Sequence, residues 1–395
     1  MIIQPKVREY ICTTAHPLGC EESVRRQIAH AEKKGKTEGT KKALIIGCST
    51  GYGLASRISA MVNCGADTLG IMFERPASGR RTATPGWYNT AAFTKIAEER
   101  GVYAKTLNGD AFSREMKEKT VETIREDLGS VDLVIYSLAA PRRTDENGVT
   151  WSSCLKTIGS TFTEKNLDLR TNEINQKTLE PATEEEIEAT RKVMGGEDWA
   201  EWIHVLKSAG VLAEQAVTVA YSYIGPELTA PIYYNGTIGS AKKHLHQTAE
   251  ELNRRYPEVK AYISVNKGLV TQASSAIPVV PLYFTILYQV MKKQGVHEDC
   301  IGQMTRLFTE KLYGKQGVVT DSRGLIRMDD WEMLPEVQEQ VLKAWKKVTT
   351  ENKDQYCDIE GYWEDFYHMF GFGYEEIDYE KETEANVQIP GIEEA

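Results

Sequence analysis

Between residues 43 and 62 the chain sets a short apolar run, a glycine-rich turn and a helical pattern in immediate succession. Ala43-Leu-Ile-Ile46 stops at Gly47, Gly47-Cys-Ser-Thr-Gly-Tyr-Gly53 follows, and Leu54, Ile58 and Met61 then fall on one side of a helix over 52–62. An apolar run of this length, ended by glycine, reads as a buried strand. Strand, tight turn and helix together open a βαβ unit, which constrains the fold more than composition does. The rhythm then repeats. Thr68-Leu-Gly-Ile-Met-Phe73 reads as a strand, 91–100 as a helix, 102–107 as a strand, 117–127 as a helix and 131–138 as a strand. Strands alternating with helices predict an α/β fold with a parallel sheet covered on both faces.

From about 140 to 183 the periodicity disappears, and Ser, Thr, Asn and Gly dominate. A stretch of that length carries small elements of its own or serves function directly. An acidic helix starts at Glu184, and Gly195-Gly196 breaks it. The α/β rhythm resumes with a strand over 216–221, a helix over 238–255 and a strand over 259–265. Residues 281–293 and 298–312 read as helices, Val318–Arg327 as a small hairpin, and 336–348 as an amphipathic helix carrying Val337, Val341 and Trp345. Residues before Lys42 read as a polar lead-in, and the acidic last twenty as a packed turn followed by a loose end.

With 47 Lys+Arg against 57 Asp+Glu, the net charge of −10 argues against a nucleic-acid partner. The N-terminal residues lack the pattern of an export signal, so a cytoplasmic location is expected. The most apolar stretch, Ala276 to Met291, is short for a bilayer and broken by Pro278 and Pro281, so no membrane role is expected. Seven scattered cysteines suit reduced thiols. Cys12, His16 and Cys20 recur every four residues, but Pro17 and Gly19 argue against a shared helix and no fourth ligand is evident. No metal site is expected.

The context of Gly47–Gly53, after a strand and opening a helix, marks a dinucleotide-binding loop. Glycines let the backbone approach a pyrophosphate, and the free amides of the helix N-terminus favour its charge. Ser49, Thr50, Gly51 and Tyr52 lie within that loop. The spacing is G-x3-G-x-G, and Ser56 stands where the common fingerprint has its third glycine. Glu74 closes the second strand, 21 residues after Gly53. A carboxylate there can accept both ribose hydroxyls and repels a 2′-phosphate, which favours NADH over NADPH. Arg75, Arg80 and Arg81 weigh on the other side, since each could meet a phosphate. Asp110-Ala111 and Ser137-Leu138-Ala139 sit at later strand ends, where ligands of open α/β sheets collect. Asp110 is a candidate adenine contact or an ordinary helix cap.

Downstream, Tyr223 and Tyr233 precede Lys242 and Lys243. A phenol near an ammonium group is a good proton donor to an oxyanion. Two pairs share one spacing, Tyr233 with Lys242 and Tyr234 with Lys243, each nine apart. On one helix nine residues turn about 900°, which sets the ends on opposite faces. Convergence therefore requires the tyrosine to lie before the helix, with Asn235-Gly236-Thr237 as the break. Both registers satisfy this.

These residues resemble the trans-2-enoyl-CoA and enoyl-acyl-carrier-protein reductases of the FabV class, within the short-chain dehydrogenase/reductase superfamily. The shared pieces are 47–55, Tyr136-Ser-Leu-Ala-Ala-Pro141, Val193-Met-Gly-Gly-Glu-Asp-Trp199, Ala220-Tyr-Ser-Tyr-Ile-Gly225, 270–278 and 371–379. The resemblance spans nearly the whole chain. It implies one Rossmann-type catalytic domain over 1–395, a doubly wound parallel sheet with extra helices and a small hairpin near the substrate portal. The insertion at about 140–183 and the substrate-side helices at about 278–315 are its additions. It implies NADH as donor, bound by the 47–53 loop, Phe73 and Glu74, Asp110 and Ala111, 137–139, Lys242, and Thr271-Gln272-Ala273. It assigns the catalytic Y-x8-K pair to Tyr233 and Lys242, with Tyr223 as a second active-site tyrosine. Lys242 would anchor the nicotinamide ribose or phosphate and lower the tyrosine pKa. Tyr223, Tyr233 and Ile277 would meet the acyl thioester, and the helix after Pro278 its chain. The family is often monomeric, with a homodimer as the alternative. The carrier, coenzyme A or acyl carrier protein, stays open. Arg142 and Arg143 are candidate coenzyme A contacts or a solvated basic loop. A carbonyl reductase of the same superfamily and a non-catalytic dinucleotide sensor are the competing readings.

Overall fold

The computed structural model describes residues 1–8, 11–138, 140–271, 274 and 277–394. Ala139, Gln272 and Ala273, expected beside the cofactor, lie outside the described residues. Short strands β1 (Val7–Arg8) and β2 (Ile11–Cys12) pair antiparallel and lead into helix α1 (Pro17–Lys34). This helix corrects the expected polar lead-in. Proline at the first helical position sacrifices no amide bond, and the Gly19 amide donates to the His16 ring at 3.3 Å. Its buried stripe of Val24, Ile28 and Ala31 is sparse among charged residues, which hid the period. Cys12 stands in β2 and His16 at the cap, so the two do not share that helix with Cys20.

The βαβ rhythm follows as β3 (Lys42–Ile46), α2 (Gly51–Cys64), β4 (Asp67–Met72), α3 (Pro85–Glu99), β5 (Ala104–Asn108), α4 (Arg114–Thr123) and β6 (Val131–Tyr136). The expected helix over 117–127 is α4 continued by one wider turn, Ile124–Leu128. After an insertion come β11 (Leu212–Ser222), which starts four residues earlier than expected, and α7 (Thr237–Arg255) and β12 (Lys260–Val265), whose boundaries match the expected ones closely. β13 (Leu325–Arg327) and β14 (Glu393–Glu394) complete one eight-stranded sheet, ordered β13-β12-β11-β6-β3-β4-β5-β14, with every pairing parallel. Strand order reverses between β3 and β6, so a crevice opens at their C-terminal ends.

Alternation along β3 shows why both faces need cover. Ala43 and Ile45 enter one core with Val24 of α1, Ile58 of α2 and Phe93 of α3. Leu44 and Ile46 enter another with Met116 of α4 and Leu245 of α7. Each fully buried aliphatic side chain stabilises by roughly 1.5–3 kcal/mol, which makes this strand a strong register anchor.

The insertion holds two hairpins, β7 (Arg142–Thr144) with β8 (Thr150–Ser152) and β9 (Phe162–Asp168) with β10 (Glu173–Leu179). Helices α5 (Glu184–Met194) and α6 (Glu197–Ser208) follow, divided at the glycine pair as expected. The helix pair α8 (Val280–Gln294) and α9 (Cys300–Arg306) precedes β13, and α10 (Pro335–Lys347) and α11 (Ile359–His368) follow it. α8 is buried on nearly every side, against β9, α10 and α11. No described helix is long and apolar enough to cross a membrane.

Three expectations need correction. Val318–Arg327 is no hairpin: β13 alone forms and joins the open edge of β12, which buries Leu325 and Ile326. The acidic end is not loose. Ala385 and Ile389 are buried, and β14 pairs with β5, with Lys105 bonding Glu393 at 2.7 Å. Arg143 is neither solvated nor free for a phosphate. It is 4% exposed, donates to the Lys192 carbonyl at 2.9 Å and lies over Phe112.

Candidate active site

The glycine-rich turn is positioned by β3 and β6. Gly47 has φ of 82°, and a Cβ there would stand 2.2 Å from the Ser137 carbonyl, so glycine is required. Thr50 is the N-cap of α2 but makes no side-chain cap bond, which leaves the first amides of the helix free. Nothing stands within 4 Å of where a Gly51 Cβ would project, and Thr50 and Gly51 line a cavity of about 530 Å³. Those free donors beside open space fit a dinucleotide pyrophosphate. Ser56 needs no replacement by glycine, because its hydroxyl bonds the Tyr221 hydroxyl and joins α2 to β11.

Glu74 accepts from Ser49 Oγ at 2.6 Å, and its backbone amide donates to Asn108 at 2.8 Å. Burial raises its carboxyl pKa, and the Ser49 bond opposes that shift. Phe73 beside it is 76% exposed, an unusual position for a phenyl ring. Arg75, Arg80 and Arg81 are exposed. Asp110 accepts from the Phe112 amide, while Ser113 caps α4, so Asp110 is not the helix cap. Lys117 Nζ donates to the Phe112 carbonyl and Trp202 Nε1 to the Ala111 carbonyl, which pins this loop from below.

A second cavity, about 170 Å³, lies farther along the crevice. Tyr52, Ser137, Leu138, Tyr223, Tyr233, Lys242 and Thr271 line it, and Leu269 and Thr271 also border the larger cavity. Thus the structure brings the expected tyrosines and lysine together at the far end of the nucleotide loop. Ile277 is not in that wall; it is buried in the apolar cluster with α8.

Tyr233 lies in the turn before α7, and Gly236 is the N-cap. The chain doubles back so tightly that a Cβ on Gly239 would meet the Tyr234 carbonyl at 2.0 Å and that of Tyr233 at 2.3 Å. The two registers separate here. Tyr233 and Lys242 face the cavity, whereas Lys243 Nζ sits 4.3 Å over the Tyr234 ring, outside it. Lys242 Nζ donates to the Tyr221 carbonyl at 2.9 Å, and burial lowers its pKa to about 8. Tyr233 moves opposite to the expectation. Burial first, then Glu332, raises its pKa to about 12, because a phenolate in this apolar pocket would be poorly solvated.

Sequence reasoning missed the support beneath the cavity. Tyr52 donates to the Lys267 carbonyl at 2.6 Å and accepts from Gln303. Glu332, fully buried, accepts from Tyr223 at 2.9 Å, Tyr283 at 2.7 Å and the Gly268 amide at 2.7 Å. Asp329-Asp330-Trp331-Glu332 carries no sequence signal of burial.

Family models cover most of the chain. Residues 81–313 match the trans-2-enoyl-CoA reductase catalytic region, and residues 2–79 match the NAD(P)H binding domain of trans-2-enoyl-CoA reductase. The chain belongs to the trans-2-enoyl-CoA reductase family. In this reductase, residues 320–383 match a segment described as an enoyl reductase FAD binding domain; here they form β13, α10 and α11, and the two helices pack on α8. A curated relative from Flavobacterium psychrophilum, named enoyl-[acyl-carrier-protein] reductase [NADH], is 51% identical over 99% of this chain and 100% of its own. One of the same name from Coxiella burnetii is 54% identical over 99% of this chain and 98% of its own. The crystal structure of Clostridium acetobutulicum trans-2-enoyl-CoA reductase with NADH superposes with a TM-score of 0.96 at 42% identity, covering 98% of this chain and 100% of that one. The Treponema denticola enzyme with NAD gives 0.95 at 48% identity, covering 98% of this chain and 100% of that one.

Proposed function

We propose that this chain is an NADH-dependent reductase of the C2–C3 double bond of trans-2-enoyl thioesters, with Tyr233 and Lys242 as its catalytic pair. The observation that carries the reading is one crevice with the free amides of α2 at one end and Tyr233 with Lys242 at the other. Bound NADH supplies a hydride to C3 of the substrate, and negative charge develops on the thioester oxygen. Tyr233, protonated at neutral pH, donates a hydrogen bond to that oxygen, and a proton taken up at C2 from solvent collapses the enolate to the saturated thioester. Lys242 holds the nicotinamide ribose from α7, its ammonium already fixed by the Tyr221 carbonyl of β11. Glu74, fixed by Ser49, accepts the adenosine ribose hydroxyls, and exposed Phe73 offers a face to adenine. Phe284 of α8 closes the cavity on the acyl side.

The single sheet joins segments 2–79, 81–313 and 320–383, which supports one catalytic domain over 1–395. The further reading, a monomer, rests on the family resemblance and is tested by sedimentation of the purified protein.

The deciding assay follows NADH oxidation with crotonyl-CoA, longer enoyl-CoAs and the matching acyl-carrier-protein thioesters. Turnover of enoyl thioesters is expected, and the ratio of kcat/KM values names the carrier. Tyr233→Phe should lower kcat on the order of 10²–10³ while NADH still binds, as for loss of one oxyanion donor. Reduction of a ketone but not of crotonyl-CoA would make the protein a carbonyl reductase. NADH binding with no turnover would make it a sensor.

A further inference from the structure

Tyr223 and Tyr233 meet edge to face, with centroids 4.6 Å apart and planes at 88°, in the wall of the smaller cavity. Their hydroxyls are not equivalent. Tyr223 donates to Glu332 Oε1, whereas among the described residues the Tyr233 hydroxyl has no hydrogen-bond partner. Tyrosine carries one proton, and a proton committed to Glu332 is unavailable to a substrate oxygen. Glu332 is fully buried, and three donors converge on it: two phenols on Oε1 and the Gly268 amide on Oε2. That pattern suits a carboxylate, since a neutral acid would need to point its own proton at one of these groups. The Gln338 amide donates to the Tyr283 oxygen at 3.2 Å, which leaves the Tyr283 proton directed at Glu332 as well.

We propose that Glu332 is a positioning residue whose carboxylate captures the Tyr223 proton, leaving Tyr233 as the single phenol that donates to the thioester oxygen. Tyr223 then acts through its ring, which braces Tyr233, and through its link to Gly268. The loop after β12 and the segment after β11 are thereby tied at one buried atom pair. This inference rests on the enoyl-reductase reading, which supplies the developing oxyanion. It departs from the expectation that both tyrosines donate.

The negative charge of Glu332 also acts on Tyr233, helping keep that phenol protonated. Lys242 of α7 and Tyr223 share its cavity, with Lys267 after β12 also in the wall. Lys267, Asp329 and Tyr283 in turn surround Glu332, and burial raises its carboxyl while Lys267 and the Gly268 amide oppose that.

The test compares Tyr223→Phe, Tyr233→Phe and Glu332→Gln, each with crotonyl-CoA at saturating NADH. Tyr223→Phe should cost only about threefold in kcat, since no bond to the transition state is removed, against 10²–10³ for Tyr233→Phe. Glu332→Gln should move to lower pH the alkaline limb of the kcat–pH profile that Tyr233 sets, the one above the lysine inflections near 8, because Tyr233 loses an adjacent negative charge. A merely structural Glu332 would lower activity at every pH and leave the limb in place. A Tyr223→Phe loss as large as that of Tyr233→Phe, or an unmoved limb, overturns the proposal. If Glu332→Gln does not fold, the two tyrosine variants decide alone. Normal turnover in Tyr233→Phe would instead sink the enoyl-reductase assignment of the pair.

Discussion

Lys242 is a buried ammonium with one carbonyl contact, and its pKa of about 8 follows from desolvation. The folded value lies below the unfolded one of roughly 10.4, so the unfolded chain binds this proton more tightly. The stability penalty is therefore full below pH 8 and relaxes as pH rises toward about 10. Binding behaves in the opposite sense, because a neutral amine holds ribose less well. The value of kcat/KM for NADH should fall as pH rises through about 8, and a Lys242→Met variant should be weak and flat there. Lys267 is lowered to about 8 by burial as well, so an inflection surviving in Lys242→Met would assign it to Lys267. Glu74 sets the second residue-scale expectation. Removing its charge in Glu74→Gln should raise the NADPH/NADH ratio of kcat/KM about tenfold, equivalent to 1.4 kcal/mol. A ratio unchanged in steady-state assays would leave cofactor choice to Arg75, Arg80 or Arg81. The glycine-rich turn was readable because glycines between strand and helix have few other uses. Glu332 was not, since its burial depends on α8 and the loop after β12, both distant in sequence.

At the scale of elements, the C-terminal segment does more than its acidic composition suggests. Trp87 Nε1 donates to the Val387 carbonyl at 2.8 Å, and the Tyr88 hydroxyl to the Ala385 carbonyl at 2.7 Å. Deleting residues 385–395 would strip both donors of their acceptors and expose the edge of β5. At about 1–3 kcal/mol for each buried donor left unsatisfied, a loss of roughly 2–6 kcal/mol is expected. Urea melts of the full chain and the truncated form measure it; equal midpoints would show that the segment merely lies on the surface. The ion pairs of Glu393 with Lys105 and Lys119 are partly exposed and add little. A two-residue strand has no period to detect, so β14 was invisible in sequence. α1 was overlooked for a related reason, its apolar stripe being narrow and its charged residues many. By contrast, β3, α2, β4 and β6 were legible because continuous apolar runs in parallel strands have both faces covered.

For the whole molecule, the sheet draws strands from residues 42 to 394, so the C-terminal end of the chain cannot leave without taking an edge strand with it. One cooperative unfolding transition is expected in calorimetry, with van't Hoff and calorimetric enthalpies equal. NADH should raise its midpoint, by about 2.7 kcal/mol at 100 times Kd. Two transitions, one insensitive to NADH, would argue for separate domains. Local sequence determined the α/β class, the nucleotide loop, and the requirement that a tyrosine precede the helix bearing its lysine. Those features depend on backbone geometry and near neighbours, which twenty consecutive residues contain. Tertiary structure alone decided the rest. It set Lys243 on Tyr234 and left Tyr233 with Lys242 in the cavity, since only packing distinguishes two identical spacings. It raised Tyr233 rather than lowering it, because burial, and then the negative charge of Glu332, disfavour the phenolate. It also brought Glu332 beneath Tyr223 across more than a hundred residues, because burial and charge are properties of the assembled core.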